Sequence, residues 1–208
     1  MKTTYHSEYH QLKSVFVKNV QNAFVSEKLL EEQWQELHYL RQPNFENSLK
    51  EYKNFEKAIQ KNGALIKEFL FDDKVTIDSI YCRDASIATN FGMIICNMGK
   101  SGRINEPAAQ MQTYKNHSIP ILGIIEAPGT IEGGDVAWLD EKTLAVGHTY
   151  RTNEEGIMQL KNMLKPKGIE VIVAELPHYK GTSDVFHLMS ILSPLDKDLA
   201  AVYSPLMP

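Results

Sequence analysis

The sequence predicts an α/β fold built from repeated strand–turn–strand–helix–strand (ββαβ) units. Three aspartates, Asp84, Asp135 and Asp184, occupy equivalent points of three such units, at intervals of about 50 residues. Within each unit, apolar strand patterns alternate with polar turns and helix-start signals. A fixed period of this size is typical of a repeat architecture, most simply a propeller-like ring.

The residues before the first unit predict a strand, a helical region and a second strand. Residues 12–17 form the first strand, and residues 19–49 carry apolar side chains at helical spacing. A second helix covers residues 49–65, with Gly63 marking its end. Residues 64–71 then have the apolar character of a buried strand.

The three repeat units can be followed element by element. The first has strands at 79–88 and 93–97, a turn at 90–92, a helix from 106 to about 114 and a strand at 119–125. The second has strands at 135–139 and 143–147, a turn at 140–142, a helix capped by Asn153 and a strand at 171–176. The third has a strand at 184–192, a turn at 194–197 and a strand at 199–203. Because that unit has no helix or final strand, we expect residues 1–208 to form a single partial propeller domain whose last blade is absent.

Composition excludes several classes of protein. The formal net charge is -4, and this mild acidity argues against a nucleic-acid partner. Apolar stretches such as 119–125 are far too short to span a membrane, and no secretory signal is recognisable. The two cysteines, Cys82 and Cys96, form no CxxC pair, which favours a cytoplasmic location. No histidine pair has metal-ligand spacing, so neither a metal nor another cofactor is expected.

Charged and imidazole side chains stand at the leading ends of the units. Asp84 lies in the first unit, Glu132 precedes the second, and His187 lies in the third. Equivalent ends of repeats in a ring point to one axis, so we expect these side chains to converge. Two carboxylates can hold a planar guanidinium ion through charge-assisted bonds, and a histidine can protonate a leaving amine and then activate water.

Four ordered motifs carry a resemblance to a known family. They are Tyr81-Cys82-Arg83-Asp84, Ile131-Glu132-Gly133-Gly134-Asp135-Val136, Arg151-Thr152-Asn153 and Phe186-His187-Leu188. In order and spacing they resemble the guanidine-modifying (pentein) superfamily, which contains dimethylarginine dimethylaminohydrolase, arginine deiminase and the amidinotransferases. The dimethylarginine dimethylaminohydrolase-like branch is the most similar. The resemblance covers essentially the whole chain and is strongest from residue 79 onward.

This resemblance implies a pentein-type α/β propeller of five blades around a central pocket. It implies that Asp84 and Glu132 hold the guanidinium and that His187 is the general acid/base. Arg103 and Arg151 match arginines that bind the substrate's α-carboxylate. The family nucleophile is a cysteine in the last blade, and we expect it to be missing because this chain ends before that blade.

Several positions leave alternatives open. Asp135 is either a substrate contact or a support for other site residues. Cys82 shares a face with Asp84 if the strand at 79–88 alternates regularly, although a core position for Cys82 is favoured. Ile104 stands where relatives carry a second arginine, and Met189 stands where arginine deiminase has an aspartate.

The leading functional hypothesis is a hydrolase that cleaves the C–N bond of arginine or a methylated arginine by cysteine covalent catalysis. The absent cysteine makes activity of the chain alone uncertain. The alternatives are an amidinotransferase, a non-catalytic guanidino-binding module and a structural remnant. Expected partners are a small guanidino substrate or ligand and either a second copy of the chain or a complementing C-terminal segment.

Overall fold

A computed structural model of the protein describes residues 6–177, 181 and 186–208. Asp184, which the sequence period places in the third unit, lies outside the described residues. Across the described ranges, no helix is both long and apolar enough to cross a membrane. Both cysteines are free thiols.

Strands and helices alternate along the described chain. The strands are β1 (Ser14–Lys18), β2 (Leu65–Phe69), β3 (Ser86–Thr89), β4 (Gly92–Ile95), β5 (Ile121–Ile124), β6 (Val136–Trp138), β7 (Thr143–His148), β8 (Glu170–Glu175), β9 (Leu192–Asp196) and β10 (Leu199–Val202). The helices are α1 (Val20–Ala23), α2 (Glu27–Gln33), α3 (Phe45–Lys61), α4 (Glu106–Asn116) and α5 (Glu154–Leu164). Short 3₁₀ turns precede three of the strands, at Cys82–Ala85, Gly133–Asp135 and Leu188–Ser190.

Two units of the chain share one sheet topology. Strands β3 and β4 pair antiparallel, and β5 returns after α4 to pair parallel with β4. Strands β6 and β7 pair antiparallel, and β8 returns after α5 to pair parallel with β7. The predicted ββαβ unit is therefore confirmed for both of these segments.

The remaining strands form two smaller sheets, each with part of the same pattern. Strands β1 and β2 pair in parallel and are connected through α1, α2 and α3. Strands β9 and β10 form an antiparallel hairpin. In the described part of the chain, β10 pairs with no strand other than β9, so its outer edge offers unpaired backbone groups.

The leading strand of the first unit is shorter than predicted. The sequence predicts a strand at 79–88, but the pairing begins only at Ser86, because residues 82–85 form a 3₁₀ turn. Regular alternation does not hold within such a turn. The argument that placed Cys82 on the same face as Asp84 is therefore wrong.

The leading strands of the next two units are displaced in the same way. The second begins at Val136, immediately after its 3₁₀ turn, and the third begins only at Leu192, the last residue of the predicted strand at 184–192. Pro194 lies inside β9, and the hairpin turn follows Asp196, so the predicted turn at 194–197 is misplaced. Proline is tolerated there because β9 is an edge strand.

The largest hydrophobic core lies between the two complete units and includes helix α5. Asn153 caps this helix as predicted, since its side chain accepts a hydrogen bond from the Gly156 amide at 2.8 Å. Leu160 and Leu164 are fully buried on the inner face of the helix. Trp138 joins the two units by donating its indole N–H to the Ala88 carbonyl at 3.0 Å.

The β9–β10 hairpin exposes apolar side chains to solvent, although only part of the apolar surface expected from the sequence is exposed. The sequence predicts that Leu188, Ile191 and Val202 are left uncovered. Leu188 and Ile191 are instead buried, and Leu206 and Met207 pack against their cluster. Val202 is half exposed, as are three other side chains of the hairpin, Leu195, Leu199 and Tyr203.

The N-terminal arm is tied to both complete units. The Glu8 carboxylate accepts hydrogen bonds from the Trp138 amide at 3.3 Å and from the Arg83 guanidinium at 3.1 Å. Burial alone would raise the pKa of Glu8, but His6 and Arg83 outweigh it and lower that pKa to about 2.

We expect Leu160→Ala to destabilise the fold by about 2–5 kcal/mol, because it removes a fully buried side chain from the main core. Met158→Ala on the half-exposed face of the same helix is the matched control, with an expected change within about 0.5 kcal/mol. Urea unfolding followed by circular dichroism measures both. Equal effects of the two substitutions would contradict the position of the core.

Candidate functional site

The 3₁₀ turns bring three side chains from three units together. Asp84 lies within the first turn, Glu132 immediately precedes the second and His187 immediately precedes the third. One oxygen or nitrogen atom from each of these residues lies within 4.8 Å of the other two. The convergence expected from the repeat spacing is thus present in the structure.

Gly134 permits this close approach. A Cβ atom at this position would lie 2.7 Å from Asp84 Oδ1 and 2.8 Å from the His187 ring. Both distances are shorter than real Cβ contacts allow. The glycine therefore lets the second turn lie directly against the carboxylate and the imidazole.

Glu132 is fully buried and held by donors from three directions. Its Oε1 accepts a hydrogen bond from the Lys100 amide at 2.9 Å. Its Oε2 lies 3.3 Å from Arg151 Nη1 and 3.4 Å from His187 Nε2. These contacts fix the direction of the carboxylate and place a cation and an imidazole beside it.

Asp135 is also fully buried, on the other side of the imidazole. Its Oδ2 accepts hydrogen bonds from the hydroxyls of Thr149 at 2.9 Å and Thr152 at 2.6 Å. Its Oδ1 accepts from the Leu188 amide and lies 3.2 Å from His187 Nδ1, an ion-pair distance without hydrogen-bond alignment. In this geometry Asp135 supports His187 from behind.

The arginine–threonine–asparagine motif clamps the loop that carries both buried carboxylates. The Thr152 hydroxyl donates to Asp135 and accepts from the Glu132 amide at 3.2 Å. The Asn153 side chain accepts from the Thr130 amide at 2.9 Å while it caps α5. The motif thereby joins the start of a helix to the carboxylate loop.

Arg103 is buried in an ion-pair network. Its Nε and Nη2 donate to the two oxygens of Glu106, both at 2.8 Å, and its Nη1 donates to Asp84 Oδ2 at 2.6 Å. Burial would lower the pKa of Arg103, but Glu106 and Asp84 outweigh it and raise that pKa. With Nη2 also bonded to the Tyr81 carbonyl, one N–H of Nη1 has no partner among the described residues.

Lys100 forms a second buried ion pair, which the sequence analysis did not identify. Its Nζ lies 2.6 Å from Asp78 Oδ2 and donates to the Leu37 carbonyl at 3.0 Å. No pattern along the sequence signals this pair, because Asp78 and Lys100 lie in different elements. Glu106 was missed although its position three residues after Arg103 is a recognisable helical ion-pair spacing.

Several of these groups face one cavity of about 1050 Å³. Its wall also contains residues of the segment 37–44, which follows α2, and of the first turns of α3. The charged and imidazole side chains that line its inner part are Asp78, Asp84, Lys100, Arg103, Arg151 and His187. Such a cavity has room for a small polar molecule and presents both signs of charge to it.

Neither thiol of the chain belongs to this group. Cys82 packs beside the core and donates its S–H to the Phe16 carbonyl at 3.8 Å. Burial, with the charges of Asp84 and Glu106 added, raises the pKa of Cys82 to about 11. Cys96 is buried in the main core, which also raises its pKa. Both groups are therefore protonated and unreactive near neutral pH.

The two positions that depart from the family pattern lie outside the carboxylate cluster. Ile104 is exposed, next to the buried Arg103. Met189 is partly exposed, and its sulfur accepts a hydrogen bond from Arg83 Nε at 3.0 Å. Asp84, Glu132 and His187 are close enough together to hold a metal ion, so the expected absence of a metal stays a prediction.

We expect Asp135→Asn to lower the pKa of His187. Burial lowers this pKa, but Asp135, Asp84 and Glu132 outweigh it and raise it above the ordinary value of 6.5. The stabilisation that comes from this pairing is complete below the unfolded-state pKa and is lost as pH rises through the folded-state pKa. NMR titration of the His187 ring in the two proteins measures the shift. An unchanged titration would contradict the contact between the two side chains.

Three comparisons relate the chain to known proteins. The sequence profile of the family described as arginine deiminase matches residues 6–208. Dimethylarginine dimethylaminohydrolase of Pseudomonas aeruginosa is 27% identical over 158 residues, which cover 76% of this chain and 59% of that protein. The chain therefore spans about three fifths of the length of this relative.

Solved structures share the fold. A cysteine-to-serine variant of the Pseudomonas aeruginosa hydrolase, complexed with citrulline, superimposes with a TM-score of 0.71 at 23% identity, over 89% of this chain and 67% of that one. The N-terminal domain of a cyanobacterial arginine dihydrolase, bound to substrate, superimposes with a TM-score of 0.76 at 14% identity, over 94% of this chain and 68% of that one. At these identities the likeness shows that the chain has the pentein-type α/β fold.

Proposed function

The chain belongs to the arginine deiminase family, and from that premise we propose that its cavity binds a guanidino compound related to arginine for hydrolysis of a C–N bond. One observation carries the proposal. Asp84 and His187 line a single cavity, and these two side chains and the fully buried Glu132, from three separate turns, converge within 4.8 Å. Two carboxylates can hold a planar guanidinium cation, and an imidazole can protonate the amine that leaves it.

The two carboxylates supply the binding step. Asp84 Oδ1 accepts no hydrogen bond from the described residues, since the contact with Arg103 uses Oδ2. Glu132 is fixed from behind by the Lys100 amide. A guanidinium ion placed between Asp84 and Glu132 donates N–H groups to both. Arg151, which lines the same cavity and is partly exposed, is available to an anionic group at the other end of the ligand.

His187 supplies the proton transfers. A thiolate adds to the guanidinium carbon, and the protonated His187 donates its proton to the departing nitrogen as the C–N bond breaks. The neutral imidazole then takes a proton from water while the water oxygen adds to the same carbon. Cleavage of the C–S bond releases the thiolate and a ureido product. The neighbouring carboxylates favour the protonated imidazole that begins this sequence.

The thiolate has to come from a segment other than those described here, because Cys82 and Cys96 face the core. We infer that a complementing α/β segment carries it. The unpaired outer edge of β10 in the described part of the chain supports this inference. At the corresponding edges of their own sheets, β4 and β7 each pair with a parallel strand that follows a helix. The half-exposed apolar side chains of the hairpin lie on the same sheet.

A second candidate is a binding function without turnover. The contact of Cys82 with the Phe16 carbonyl and the burial of Cys96 in the main core favour it for the chain acting alone. The two candidates differ in the ligand affinity that they require of the chain alone. A module that only binds must hold its ligand tightly without help from a further segment, whereas the hydrolase need not.

We expect arginine-type ligands to bind with millimolar affinity or weaker. Two charge-assisted contacts contribute about 1.5–3 kcal/mol each, while association costs about 4 kcal/mol or more. Asp84→Asn should weaken binding about tenfold or more, and Asp196→Asn in the β9–β10 hairpin is the control. NMR titration measures both. A micromolar dissociation constant for the unchanged chain would favour the binding module.

We expect no hydrolysis of arginine derivatives by the 208-residue chain alone, because Cys96 is buried and the thiol of the partly buried Cys82 is bonded to the Phe16 carbonyl. Loss of a nucleophile costs about a million-fold in turnover in a well-studied protease. Addition of the last-blade segment of a relative should produce ureido product only when that segment contains its cysteine. Product formation by the chain alone that disappears in Cys82→Ser would contradict this assignment.

A further inference from the structure

The ion pair between Lys100 and Asp78 bears on the part of a substrate that lies beyond its guanidinium group. Asp78 and Lys100 line the same cavity as Asp84 and His187. Lys100 is adjacent to the carboxylate cluster, because its own amide donates to Glu132 Oε1 at 2.9 Å. A ligand held by Asp84 and Glu132 therefore extends past this pair.

Lys100 already forms an ion pair with Asp78, the carboxylate that a substrate ammonium group would need as its partner. Asp78 is almost completely buried, and its Oδ2 lies 2.6 Å from Lys100 Nζ. The lysine is the more exposed partner, with 20% of its side chain accessible against 3% for the aspartate. A positive group that approaches Asp78 from the cavity thus meets another positive group.

Lys100 is fixed in this position at both ends. Its Nζ donates to the Leu37 carbonyl as well as to Asp78, and its backbone is bonded to Glu132. A lysine held in this way does not swing aside at low cost, because its removal would leave a buried carboxylate without its ion-pair partner.

The remaining charges of the cavity wall agree with this conclusion. Beyond Asp84, the acidic side chains among the described lining residues are Asp78 and Glu51. Glu51 is exposed on α3, where water screens its charge. The basic side chains are Arg41, Lys100, Arg103 and Arg151. The wall therefore suits a carboxylate and offers little to an ammonium group.

We propose that the cavity selects an ω-guanidino carboxylic acid without an α-ammonium group, and that Lys100 sets this selectivity by neutralising Asp78. The inference rests on the proposed function, since it assumes that the guanidinium lies between Asp84 and Glu132. It assigns to Lys100 a role in specificity, apart from the chemistry of the cluster.

Arginine and 5-guanidinopentanoate form the matched pair of probes, because they differ only in the α-ammonium group. We expect the unchanged chain to bind 5-guanidinopentanoate about tenfold more tightly than arginine, measured by NMR titration. Lys100→Met removes the charge and keeps the length of the side chain and the backbone bond to Glu132. It should reverse the preference, because Asp78 becomes free to accept the ammonium.

Two further variants isolate the mechanism. Lys100→Met combined with Asp78→Asn should lose the gain in arginine binding, since the accepting carboxylate is gone. Glu51→Gln should leave the preference of the unchanged chain as it is. Thermal melting establishes that each variant is folded, and Lys100→Gln, which retains a donor to Asp78, replaces Lys100→Met if the latter unfolds.

The outcomes separate this inference from the proposed function. Equal binding of the two probes, or tighter binding of arginine by the unchanged chain, overturns the role of Lys100 and leaves the guanidinium site intact. Binding of neither probe, at concentrations up to tens of millimolar, overturns the guanidinium site and the selectivity with it. A preference for 5-guanidinopentanoate that survives Lys100→Met overturns the assignment to this residue.

Discussion

The burial of two carboxylates, Glu132 and Asp135, is the constraint on which the rest of the site depends. Both side chains are withdrawn from solvent, and an uncompensated buried charge destabilises a protein by several kcal/mol. Backbone amides, two threonine hydroxyls, an arginine and an imidazole supply the compensation. Because these donors come from several elements, the loop that carries the carboxylates can keep its shape only when the two complete units are packed together.

This constraint also explains the local backbone. An extended strand would carry successive side chains to opposite faces of a sheet, whereas the site needs one carboxylate on each side of an imidazole. The turn at Gly133–Asp135 achieves this, and the glycine at position 134 lets it contact Asp84 and His187. The strands begin only where these requirements end, so each sheet acts as the rigid base for the turn that precedes it.

Much of this arrangement could be predicted from the sequence, for physical reasons. The repeat period placed Asp84, Glu132 and His187 at the leading ends of their units, and Asn153 was recognisable as a helix cap because its type and position match the needs of a first turn. The boundaries of the leading strands were not recoverable. A mixed polar and apolar stretch such as 79–88 fits a strand and a 3₁₀ turn followed by a strand equally well.

The ion pairs of Arg103 and Lys100 could not be predicted from the sequence for a different reason. Arg103 and Lys100 are charged residues in a polar segment, which by itself suggests exposed positions. Their burial follows from contacts with Asp84 and Asp78, which belong to turns that only the folded chain brings near. Patterns along one segment do not report such pairs, whereas the caps and apolar periods that were predicted correctly are properties of a single segment.

The tie between Glu8 and Trp138 matters for how the chain is made. On the ribosome Glu8 emerges well before Trp138, which lies 130 residues further along, so Glu8 stays without its amide donor until that residue has been synthesised. The arm therefore reaches its native position later than its place in the sequence suggests. A partner protein fused ahead of residue 6 would lie next to an arm that still has to dock against both units. A fusion inserted at the exposed turn between β9 and β10 would leave that late docking step undisturbed.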